Sequence, residues 1–159
     1  MFTLSEQEIA ALICELKPRP EELYPPKRLA SRNHHQRREF PVVTESGNKF
    51  VIMLRQSEMN VLDFSAILGY QLPGFNRIFR LRRYNGKHGH INPIEGTAFY
   101  DFHIHYATER YQSFGRGKED VYAEPTARYH SLETAINCLL NDCGFRPDSE
   151  RFPLFEGKV

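Results

Sequence analysis

The residues best equipped for chemistry are His103 and His105, in the run FYDFHIHYATERY at positions 99–111. The run alternates with the period of a strand. Tyr100, Phe102, Ile104 and Tyr106 point one way, and Asp101, His103 and His105 the other, with Phe99 the apolar exception. An extended chain sets the two imidazoles on one face, about 6.5–7 Å apart at their Cα atoms. Imidazole takes and gives protons near neutral pH. Upstream, NRIFRLRRYNGKHGH (76–90) places Phe79 and Leu81 on one face and Arg80 and Arg82 on the other. Guanidinium grips phosphate oxygens in pairs. If the two strands are neighbours, arginine, histidine and carboxylate groups converge on one open sheet face.

That set suits cleavage of RNA through its own 2′-hydroxyl, which needs a base, an acid and cations around the pentavalent phosphate. His103 and His105 are the expected acid and base, with Glu109 as an alternative base. Arg80, Arg82, Arg110 and Lys87 are the expected phosphate contacts, and Tyr84 and Tyr111 the expected stacking platforms for bases. The same residues admit a plainer account, because His-x-His on a strand also serves as surface or as a structural hydrogen bond. They admit a metal as well: His88-x-His90 and His103-x-His105 supply four imidazoles, with Asp101 near. That spacing matches no zinc finger and the arginines repel a cation, so the expectation is metal-independent chemistry with no cofactor. The sequence holds no G-x-S-x-G, P-loop or G-x-G-x-x-G motif.

The elements that must position these groups follow from local signals. Ser5 with Glu8 forms a capping box, and Ile9, Leu12, Ile13 and Leu16 make the apolar stripe of a helix that Pro18 ends. Residues 17–38 read as a basic, proline-containing arm with seven Lys and Arg; His34 and His35 sit in it, and Leu23, Tyr24 and Leu29 are its packing residues. Residues 38–44 and 48–56 read as a hairpin about Gly47, and residues 61–70 as a third strand with Phe64, Ala66, Leu68 and Tyr70 on one side. Residues 78–84 are the next strand, ended by Asn85-Gly86 as a turn, and residues 99–106 pair with it. Residues 107–111 leave the sheet as a turn of helix, residues 115–120 form a charged mobile loop, and residues 121–129, interrupted by Pro125, form either no strand or an edge strand open to a second copy. Ser131 caps a last helix whose stripe is Leu132, Ala135, Ile136, Leu139 and Leu140, with Gly144 at its left-handed end. A tail over 145–159 packs through Phe152, Leu154 and Phe155. His130, alone before the cap, reads as structural. The order predicts an α+β domain: a curved antiparallel sheet of about five strands with an N-terminal and a C-terminal helix packed on one face.

Composition sets the limits. A chain of 159 residues, 40% hydrophobic and 26% charged, fits a single soluble domain, and 13% aromatic residues without tryptophan favour sheet. No apolar run reaches a membrane span, and the start resembles no signal peptide, so the expected compartment is the cytoplasm. Cys14, Cys138 and Cys143 read as reduced core thiols. Residues 1–90 hold 14 Lys and Arg against 9 Asp and Glu, whereas residues 91–159 hold 7 against 11, an asymmetry that suits a polyanion on one side.

At FHIHYATERYQ and the preceding RLRRYNGKHGHIN, the chain resembles small bacterial proteins of toxin–antitoxin and mobile-element neighbourhoods. In outline it is similar to the RelE/barnase-like endoribonuclease toxins over residues 76–142, with Ser131-Leu132-Glu133 at the helix start. The resemblance implies a helix followed by an antiparallel sheet, with the site on the sheet's open face at Arg80, Arg82, His103, His105 and Glu109. The expectation is therefore an RNA-binding protein acting as a metal-independent endoribonuclease. The alternative is a non-catalytic protein-binding module: an antitoxin, adaptor or inhibitor that uses the same tyrosines and arginines as an interface. Two imidazoles reaching one phosphate site beside a pocket favour the first; a flat, tyrosine-rich face with the imidazoles tied to backbone carbonyls favours the second.

Overall fold

The computed structural model describes residues 2–21, 23, 30–32 and 34–147, with main chain alone at 30–32. Tyr24 and Leu29 of the expected arm, and the whole expected tail packing through Phe152, Leu154 and Phe155, lie outside the described residues. The elements run α1 (Glu6–Cys14), β1 (Ala30–Arg32), β2 (His35–Val43), β3 (Lys49–Ser57), β4 (Phe64–Gln71), β5 (Ile78–Asn92), β6 (Thr97–Tyr106), α2 (Glu109–Gln112), β7 (Ala123–Pro125) and α3 (Leu132–Asp142). The fold is α+β. All strands are antiparallel and each pairs with its neighbours in the chain, so the sheet is a seven-stranded meander with three-residue strands at both edges.

One face of the sheet carries the core. Phe50, Ile52, Leu54, Phe64, Ala66, Leu68, Phe79, Phe102 and Ile104 are buried there with Ile9 and Ile13 of α1 and Leu132, Ala135, Ile136 and Leu139 of α3. Both helices start at capping boxes, Ser5 with Glu8 and Ser131 with Thr134. Gly144 takes a φ of 78° after α3, and a Cβ there would lie 2.4 Å from the Glu15 carbonyl oxygen, so glycine lets the two helix ends meet. α1 stops at Cys14, short of the expected Leu16.

Lys17 departs from the expected arm. It is fully buried, and its ammonium donates to the carbonyls of Leu12, Ile13, Glu15 and Cys143 at 2.7–3.0 Å, with the Phe50 ring centre 4.6 Å away. It gathers carbonyl groups at the ends of α1 and α3, where helices present unpaired acceptors and partial negative charge. Beyond it, β1 and β2 bring part of the arm into the sheet.

Two bulges in β5 decide which side chains reach which face. The first falls at Leu81: Arg80 lies opposite Gly69 and Arg82 opposite Leu68, leaving Leu81 as the extra residue. A bulge reverses the alternation beyond it. Arg82 therefore joins the helix-covered face with Tyr84, and Arg83 takes the opposite face with Arg80. This corrects the expected pairing of Arg80 with Arg82. The second bulge replaces the expected Asn85-Gly86 turn. Asn85 lies opposite His103 but His88 opposite Asp101, so Gly86 and Lys87 together face one residue. The Lys87 amide donates to the Leu62 carbonyl at 3.0 Å, and a Cβ on Gly86 would lie 1.8 Å from that oxygen. Glycine is what permits the approach, and β5 continues to Asn92 before it turns through Gly96.

At the second bulge the β5–β6 ribbon folds back on itself. His90 pairs with Phe99, six residues before His105 on the same strand. In a straight ribbon that separation is about 20 Å. The His90 and His105 rings are 4.8 Å apart. The outer half of the hairpin, residues 88–101, lies over the inner half on the face away from the helices. Asn92 fixes its end: the side chain exchanges two hydrogen bonds, 2.8 and 2.9 Å, with the main chain of Ala123, which pairs with His105.

Candidate metal centre

His103 and His105 share the expected face, but the folded hairpin closes it: they are 0% and 3% exposed. His88 and His90 come down on them from the outer half, with the His90 ring 5.5 Å from that of His103 and the His88 ring 4.5 Å from it. One ring nitrogen from each of His90, His103 and His105 lies within 4.8 Å of the other two.

The hydrogen bonds settle where the protons are. His103 Nδ1–H donates to the Asp101 carbonyl and His105 Nδ1–H to the Asp120 carbonyl, both at 2.7 Å. A carbonyl can only accept, so both rings carry their lone pair on Nε2. Neither Nε2 finds a hydrogen-bond partner among the described residues, and both are buried. His90 is fixed by Asn92. Because Asn92 accepts the Ala123 amide through Oδ1, the same oxygen must accept His90 Nε2–H at 2.9 Å, which leaves the lone pair on Nδ1. Each of the three imidazoles thus has one nitrogen bonded to an oxygen, and among the described residues no hydrogen bond is made by the other nitrogen of His103 or His105. That is the arrangement in which histidines ligate metals.

Burial is the main reason the His103 and His105 rings stay neutral. It pulls His103 down to about 4, with His88, His90 and Arg83 adding repulsion against the Asp101 carbonyl's opposite pull. His105 is held lower still, by burial first and then by Arg83. Neutral imidazole is the ligating form. Tetrahedral zinc with bonds of about 2.0–2.1 Å needs nitrogens about 3.4 Å apart, so the three have roughly 1 Å each to close. Arg83 is offset by Asp120, 1% exposed, whose carboxylate accepts Arg83 Nε at 3.0 Å and two bonds from Arg80 at 3.0 Å.

The other expected site residues are placed elsewhere. Arg80 is committed to Asp120 and the Gly117 carbonyl. Arg82 lies across the sheet, its guanidinium 4.6 Å from the Tyr106 ring centre. Arg110 pairs with Glu95, and Lys87 is exposed at the bulge. Glu109 bonds the first turn of α1, where its carboxylate accepts the Glu6 amide at 3.3 Å. Tyr84 is buried and donates to Asp142 at 2.7 Å; Tyr111 is buried, donates to Glu95 and accepts the Ile94 amide, which holds the hairpin tip. Neither tyrosine offers a face to a base. Residues 115–120, expected to be mobile, end in Glu119 and Asp120, each 1% exposed and bonded to Arg77, Arg80 and Arg83. Cys138 and Cys143 are buried, whereas Cys14 is exposed.

Sequence reasoning missed Asn85, Asn92, Arg83 and Asp120. One usable signal was the spacing of Arg77, Arg80 and Arg83, three cations at the start of β5 and just before it that need acids nearby. No family model, curated protein or solved structure matches the chain. No helix among the described residues is long and apolar enough to cross a membrane.

Proposed function

We propose that the protein is a metal-binding module that holds one transition-metal cation of the zinc class through His90, His103 and His105. The observation that carries this is the pair of buried, unpartnered Nε2 atoms of His103 and His105, on rings whose centres lie 4.9 Å apart, with their protons fixed elsewhere. Leaving such acceptors buried and unmet costs about 1–3 kcal/mol each. A borderline cation satisfies both and binds neutral imidazole well.

Metal-free RNA cleavage needs the four cationic and imidazole groups on one open face. Arg82 faces the helices, Arg80 is spent on Asp120, and His105 is too deeply buried to carry a proton to a leaving oxygen. Both imidazoles are tied to backbone carbonyls, but Tyr84 and Tyr111 are buried and form no flat tyrosine-rich face for a protein partner.

The test is calorimetric titration of untagged protein with Zn2+ and Co2+. One equivalent should bind to wild type, and H103A, H105A and H90A should each lose at least tenfold in affinity while keeping the wild-type far-ultraviolet dichroism. Absence of binding by wild type, or unchanged affinity in all three folded variants, would overturn the proposal.

A further inference from the structure

We infer that His88 is the fourth ligand, and that the enclosed cation clasps the folded-back hairpin to the sheet rather than activating water. This inference rests on the three-imidazole reading above.

The second bulge puts His88 on the same face as His90, two residues along the strand. Its ring stands edge-on to that of His103 at 4.5 Å. Its Nδ1–H donates to the Gly89 carbonyl at 3.1 Å, so its lone pair is also on Nε2. That atom now accepts only the Asn85 side-chain amide, at a long 3.4 Å. His88 stands outside the cluster of three ring nitrogens, so a side-chain rotation that gives up its Asn85 and Gly89 bonds must bring Nε2 to the cation.

Of the nearby carboxylates, those of Glu119 and Asp120 are held by arginines. That of Asp101 is exposed and accepts the Phe102 amide through one oxygen at 2.9 Å. With His103 and His105 buried, the approach left to a cation is from the half-exposed side of His88 and His90. Closure by His88 gives four nitrogens and no open position, the pattern of structural rather than catalytic zinc. Two ligands then come from the outer half of the hairpin and two from the inner half. The cation cross-links the two halves across the bend.

Co2+ reports the ligand set directly. Wild type should give a tetrahedral visible band that does not change between pH 7 and 9. H88A and H88N should bind Co2+ about 10–100-fold more weakly, with a band that shifts over the same pH range as a bound water ionises. Hydrogen exchange should show amides of residues 88–101 protected by Zn2+ in wild type and less so in either variant. If both variants bind with the wild-type affinity and spectrum, His88 is not a ligand, while loss of binding in H103A would leave the three-imidazole reading standing. If wild type binds no Co2+, both readings fall.

Discussion

Gly86→Ala tests the bend on which the site depends. The added Cβ would start 1.8 Å from the Leu62 carbonyl oxygen, closer than the 3.0 Å below which real contacts are essentially never seen, so the backbone must move by about 1.2 Å, the difference of the two. The obstacle is main chain, not a side chain that can swing away. Overpacking of this kind costs about 1–3 kcal/mol, which lowers the melting temperature of a domain this size by several degrees. The effect on the metal should be larger. A ligand constellation tolerates roughly 0.5 Å of error, and a 1.2 Å displacement at the bend moves His88 and His90 against His103 and His105 by more than that. Zinc at a hundred times its dissociation constant should raise wild-type stability by about 2.7 kcal/mol. The variant should gain little. The assay is thermal unfolding with and without Zn2+, with Gly89→Ala as control, since a Cβ there meets only the Tyr100 ring at 3.6 Å. If Gly86→Ala melts like wild type and responds fully to zinc, the folded ribbon is not set by this bulge and the reasoning fails.

Three further outcomes follow from the same geometry. Asn92→Ala removes the acceptor that orients His90 and should weaken Co2+ binding about 10–100-fold, as loss of an outer partner of a metal histidine does; titration of the folded variant checks it. His103 is neutral when folded down to about pH 4, against about 6.5 when unfolded, so the unfolded chain binds the extra proton between those values. The His103 contribution to metal-free stability should therefore be constant above pH 6.5 and fall by about 3 kcal/mol on the way to pH 4, with buried His105 steepening the same fall, read from urea midpoints; a midpoint that rises on acidification refutes it. Lys17→Met leaves four carbonyls without their donor and should cost about 2–4 kcal/mol in urea unfolding, with no change in Co2+ affinity.

The parts of this protein written in short stretches of sequence were legible there. Ser5 with Glu8 and Ser131 before its apolar stripe name two helix starts, because capping is a matter of three or four neighbouring residues. Phe64 to Tyr70 and Phe102 to His105 show their faces, because alternation along one strand is local. The alternation failed only in β5, at Leu81 and at Gly86. A bulge belongs to a pair of strands, and the reason for the one at Gly86 is the Leu62 carbonyl, 24 residues away. Asn85-Gly86 carries the same letters whether it turns the chain or bends it. Folding the ribbon then buried His103 and His105, brought His88 and His90 over them, and closed a face that composition alone suggested was open. The imidazoles, their spacing and their shared side were fixed by the order of residues. Their depth, their tautomers and their convergence on one point were fixed by contacts between distant segments: Asp120 with His105, Asn92 with Ala123, and Leu62 with the bend.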